Sequence, residues 1–100
     1  MLLVGRPGGP AEAAGEQARK AGWQTAMAGD GFAALELAIA DASLEVALLD
    51  MESLHPKSAA MVGALRAVRA GLAVRLICPP WLEPEVRRIV AGRTGADYIV

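Results

Sequence analysis

The run Val46-Ala47-Leu48-Leu49-Asp50 constrains this chain more than any other stretch. Four apolar residues closed by a carboxylate make a segment too short for an ordinary helix, and no polar position alternates through it. Such a run reads as a strand buried on both faces of a parallel sheet. The strand would deliver Asp50 to the carboxyl rim of the sheet, where sites form in open α/β folds. Asp50 is therefore the first candidate functional residue.

The rest of the sequence repeats the alternation of short apolar runs with longer Ala/Leu-rich segments that marks sequential βα units. Strand one is read at Leu2–Val4. The loop Arg6-Pro7-Gly8-Gly9-Pro10 follows, because its prolines and glycines propagate neither element. A helix is predicted from Pro10 to Ala21, with proline at its start and Gly22 as its stop. Strand two is read over 24–28 and a second helix from Phe32 to Asp41, with Leu35 and Ile39 on one face. After strand three the sequence predicts a loop through Pro56. A third helix then runs from Ser58 to Ala70, with Met61, Leu65 and Val68 as its apolar stripe. Strand four is Ala73–Cys78, stopped by Pro79-Pro80. A fourth helix is read from Pro84 to Arg93, with Val86, Ile89 and Val90 apolar, and strand five is Asp97–Val100. Right-handed crossovers then give a doubly wound, five-stranded parallel sheet in the order 2-1-3-4-5. A last helix to cover strand five is expected in such a fold, and the sequence contains none.

Composition narrows the function classes. The 100 residues make one domain, and 54% hydrophobic content with 21% charged residues marks a globular chain. A net charge of −1, with no basic run longer than two residues, argues against nucleic-acid binding by this domain. No apolar stretch approaches the roughly 18–20 residues that span a bilayer. The lone Cys78 fits a reducing compartment, so a cytoplasmic setting is expected.

Four stretches, taken in order, resemble the receiver domain of bacterial response regulators, the CheY-like family with a flavodoxin-like fold. They are Gly22-Trp23 with Ala28-Gly29-Asp30-Gly31 and Ala34-Leu35, then Val46–Asp50, then Val74–Cys78, and finally Gly95-Ala96-Asp97-Tyr98-Ile99-Val100. The resemblance runs over residues 1–100 and implies a receiver-like unit truncated at its C-terminus, since a Lys-Pro pair usually follows the position of Val100. It matches Asp50 to the phosphoacceptor and Tyr98 to the aromatic that switches rotamer. Gly5 and Arg6 fall where the family carries two metal-binding acids, and Cys78 falls where a hydroxyl senses the phosphoryl group.

These departures bear on the chemistry. Phosphoryl transfer to a carboxylate depends on positioning and charge neutralisation. Mg²⁺ is usually held by one or two carboxylates, and a guanidinium beside Asp50 would repel it. The expectation is a degenerate receiver with no metal site, no catalytic residues and no cofactor, acting by protein–protein contact. Its partner would be another protein or a second copy, met through strand five and the fourth helix. Two alternatives stand beside it: a working phosphoacceptor domain using Asp50, and a small-ligand-binding α/β domain using the Gly5–Gly9 loop. The loop matches neither dinucleotide nor P-loop glycine patterns. Arg6 either pairs bidentately with Asp50 or points to solvent. Asp30 between glycines reads as a turn residue, His55 as a solvated loop residue, Cys78 as a small buried thiol, and Trp81 as part of a rigid connector.

Overall fold

A computed structural model describes residues 1–91 and 95–100. Five strands, β1 (Leu2–Val4), β2 (Ala26–Ala28), β3 (Val46–Asp50), β4 (Ala73–Ile77) and β5 (Ala96–Ile99), form one sheet. All neighbours pair in parallel, and the order is β2-β1-β3-β4-β5. This is the flavodoxin-like doubly wound layout that the alternation of elements predicts. The helices are α1 (Pro10–Lys20), α2 (Gly31–Ala40), α3 (Met51–Leu54), α4 (Ser58–Val68) and α5 (Glu83–Val90), with a 3-10 turn at Pro80–Leu82.

The central strand behaves as its composition requires. Ala47, Leu48, Leu49 and Asp50 are all buried. The main core lies on one face of the sheet, where Leu2, Val4, Leu49, Val74 and Leu76 meet Ala34 and Ala38 of α2, Val62 and Leu65 of α4, and Val86 and Ile89 of α5. The opposite face has a much smaller core, in which Leu3 and Leu48 pack under Ala11, Ala14 and their neighbours. On that face α1 lies close to the sheet, because a side chain at Gly15 would put its Cβ 2.2 Å from Leu3 Cδ1. The two faces are thus covered unequally, by three helices and by one thin helix.

Several element bounds differ from the sequence expectation, each for a local reason. β2 starts at Ala26 because its partner β1 is only three residues long, and the N-terminal ammonium takes the Gln24 carbonyl at 2.7 Å. The loop expected after β3 instead opens with one helical turn, α3, because Asp50 caps it by accepting the Glu52 N–H. α4 stops at Val68 rather than Ala70, since Arg69 leaves helical geometry. The predicted stripes also rotate. Ser58, Val62 and Leu65 are the buried residues of α4, while Val68 is exposed, and on α2 Ala34 and Ala38 are buried while Ile39 faces solvent. On α2 small residues take the buried positions because they let the helix sit nearer its neighbours, whereas α4 buries Val62 and Leu65. α5 ends at Val90, and Arg93, the last residue expected for it, lies outside the described residues. No helix among the described residues is long and apolar enough to cross a membrane.

Candidate functional site

Asp50 ends β3 at the carboxyl rim, and only 1% of its surface reaches solvent. Its Oδ1 accepts the Glu52 N–H at 3.1 Å, and the Ser53 hydroxyl donates to its carbonyl at 3.2 Å. Its Oδ2 is buried and has no hydrogen-bond partner among the described residues.

Two glycines of the first loop make the lid over this carboxylate. A Cβ at Gly5 would stand 2.8 Å from the Asp50 Cβ and 3.3 Å from the Ser53 hydroxyl. A Cβ at Gly9 would stand 3.2 Å from Asp50 Oδ2. The Gly5 backbone therefore approaches Asp50 more closely than a side chain there would permit, and a Cβ at Gly9 would be a tight contact that Asp50 would have to yield to by a few tenths of an ångström. The resemblance matches Gly5 to a lost acidic position; in the structure its backbone closes on Asp50. A glycine-rich loop ahead of a helix was the available signal, but it did not say which group the loop would cover.

Arg6 lies in the same loop and is exposed. Of the two orientations open in the sequence, the structure has the solvent-facing one: no ion pair joins Arg6 to Asp50 among the described residues. The loop's donors are used within the chain. Gly8 N–H donates to the Glu12 carboxylate, and Gly9 N–H to the Arg6 carbonyl at 3.1 Å. Around Asp50 stand the backbones of Gly5 and Gly9, the Glu52 N–H and the Ser53 hydroxyl. Among the described residues no group of three or more His, Cys, Asp or Glu side chains could share a metal ion.

Cys78 follows β4 and is buried, with its thiol donating to the Pro79 carbonyl at 3.1 Å. Burial pushes its pKa up, and the negative charges of Glu83 and Glu85 add to the effect. The environment is that of a protonated, unreactive thiol. Tyr98 is half-buried on β5 and packs against the main core. Its hydroxyl, followed by the Glu83 carboxylate, raises the pKa of the Arg87 guanidinium. Asp30 caps α2 by accepting the Ala33 N–H at 2.9 Å.

A second cluster on this rim was not visible in the sequence. His55 Nδ1 lies 3.5 Å from Glu85 Oε2, and its ring meets the edge of Trp81 with centroids 6.0 Å apart. Trp81 remains 63% exposed. These contacts tie the connector after β3 to the start of α5. Only the packing of β3 beside β4 brings residues so distant in sequence together.

No family model matches the chain, and no curated protein or solved structure shows significant similarity to it. The class it belongs to is defined by the fold alone, a flavodoxin-like α/β domain.

Proposed function

We propose that the chain is a degenerate receiver-like module of a two-component type of signalling system, acting through protein contact rather than Mg²⁺-dependent phosphorylation. The observation that supports this reading is the covered carboxylate: Asp50 ends the central strand at the carboxyl rim, buried beneath the backbones of Gly5 and Gly9. An attacking carboxylate must reach phosphorus in line and have its product charge neutralised. A lid of glycine backbone obstructs the approach, and the surrounding side chains lack the acids that would hold a metal. The buried Cys78 offers no hydroxyl to a phosphoryl group. A reducing, cytoplasmic setting and a protein partner belong to the same reading.

The small-ligand alternative, which uses the Gly5–Gly9 loop, is less well supported. Two of the loop's N–H donors are already taken by Glu12 and Arg6 of the chain itself. The phosphoacceptor alternative is tested directly. The protein is incubated with Mg²⁺ and acetyl phosphate, then read by intact mass and phosphorus NMR. No acyl phosphate is expected. A modified Asp50 that disappears in Asp50→Asn would replace the degenerate reading with the phosphoacceptor one.

A further inference from the structure

On the α1 side of the sheet, α1 packs over β1 and β3, and among the described residues no helix covers β4 and β5, which form an exposed ledge. All-parallel sheets ordinarily have both faces covered. The depression beside α1 has a volume of about 530 Å³ and is lined by Val46, Leu48, Ala73 and Ile99, among others. In its middle the Arg75 guanidinium makes two bonds of 2.9 Å to the Asp97 carboxylate. The side chains are 47% and 59% exposed. Arg75 and Asp97 are register partners on adjacent strands, and Ile77 and Ile99 are the next such pair on this face.

We infer that this ledge is the docking surface for a second copy of the same chain, stacked ledge to ledge about a two-fold axis running along the strands between β4 and β5. Charge is the first argument. That axis places the partner's β5 over β4, so Arg75 faces the carboxylate of the register-related position in the other copy. The reciprocal contact forms at the same time, as an isologous interface requires. The two existing pairs become one ring of four alternating charges, and the isoleucine pairs stack beside it. A face carrying equal charges of one sign on both strands would repel its own copy.

Shape is the second argument. Stacked sheets lie about 10 Å apart, and a helix is about 10–12 Å across. The step made by α1 therefore has the height of a second sheet. A partner sheet whose edge lies over β4 would end where α1 begins. The β5 edge of each copy would then abut α1 of the other, which also covers the unpaired backbone that an edge strand exposes. The ledge is two strands wide and about 17 Å long at ~3.3 Å per residue. That flat footprint is only about 160 Å² per copy at ~4.8 Å per strand, so the two contacts of a β5 edge with α1 must supply much of the interface, and the association is weak and reversible. The inference does not depend on the chemistry of Asp50.

Sedimentation velocity on the whole chain across a concentration series tests it. The wild type should dimerise reversibly. Arg75→Glu makes the ledge acidic and Asp97→Arg makes it basic, and each should weaken self-association by about tenfold or more. Mixed in equal amounts, the two variants should recover a dimer, because each then meets the opposite charge across the axis. Circular dichroism verifies that both variants are folded, and Ile99→Lys on the same face gives an independent disruption. A wild type that stays monomeric at about 1 mM, well above the affinity expected of a small interface, would assign the ledge to another occupant and overturn the inference. So would single variants that dimerise like the wild type, or folded variants that fail to pair when mixed.

Discussion

At the scale of single residues, the strongest demand in this protein is for the absence of side chains around Asp50. Gly5 and Asp50 come so close that a methyl at position 5 would collide with the Asp50 Cβ at 2.8 Å. Neither partner is the flexible end of a side chain, so the backbone must move. Gly5→Ala should therefore cost about 1–3 kcal/mol, the usual range for overpacking a closed site. Truncating Asp50 to alanine should not rescue it, since the clashing atom remains. Chemical denaturation of the single and double variants measures both effects, and a rescue would show that the carboxylate is the obstacle instead. Asp50→Asn asks a different question. One carboxylate oxygen is bonded to the Glu52 N–H and the other has no partner among the described residues. An amide of the same shape keeps the first bond and removes a carboxylate from a poorly compensated place. Stability should stay level or rise by about 1 kcal/mol. A loss larger than that would mean the carboxylate is held by something beyond the Glu52 contact.

Between elements, the connections are held by side chains whose role no local pattern announces. Arg69 follows α4, yet its guanidinium donates to the carbonyls of Ala38, Asp41, Ala42 and Leu44 at 3.1, 2.7, 3.1 and 2.6 Å. It thereby closes the C-terminus of α2 and fixes the turn into β3. Hydrogen bonds from a charged donor are stronger than neutral ones, so Arg69→Met should cost about 2–4 kcal/mol. Arg69→Lys should recover little, because one ammonium cannot span a planar fork of acceptors. Equal stability of the lysine variant and the wild type would refute the fork argument. The Arg75–Asp97 pair links β4 to β5 and gives a pH signature. The hydrogen bonds from Arg75 hold the Asp97 carboxyl below its ordinary value of 3.8. A depressed carboxylate contributes stability above that ordinary value and loses it as the pH falls through the lowered one. The pair is exposed and screened, so the effect should stay below about 1 kcal/mol. Acid titrations of the wild type and Arg75→Gln should diverge above that window and converge at its lower end. Curves separated by a constant amount at every pH would assign the difference to packing instead.

For the whole molecule, sheet order was legible because it follows from βα alternation, right-handed crossovers and the short apolar run of residues 46–49 that has to sit in the middle. Asp50 was legible for the same reason, as the carboxylate that ends that strand. The lid over it was not, because closeness between Gly5, Gly9 and Asp50 is a property of how tightly the loop folds back. Nor was the cluster of His55, Glu85 and Trp81, whose members belong to different βα units. The buried stripe of α2 was misread because the largest apolar residues were taken to mark the buried face, whereas the tight packing seats Ala34 and Ala38 there; on α4 Leu65 is buried as expected, but Val62 takes the place given to Val68. The same imbalance sets the stability of the two layers. Leu49 and Leu48 are neighbours on β3, but Leu49 points into the core closed by α2, α4 and α5, and is fully buried. Leu48 points to the side covered by α1 alone and keeps 8% of its surface in contact with solvent. A cavity behind Leu49 is bounded by several elements and can collapse little, so Leu49→Ala should cost at the upper end of the ~2–5 kcal/mol range. A cavity behind Leu48 opens toward the uncovered ledge, and water or a shift of α1 can fill it. Leu48→Ala should fall at or below the lower end of the same range. Urea unfolding of the two variants at a concentration where the protein is monomeric provides the comparison. Equal losses, or a larger loss at Leu48, would mean that the α1 layer is as tightly built as the other and that the ledge contributes no slack.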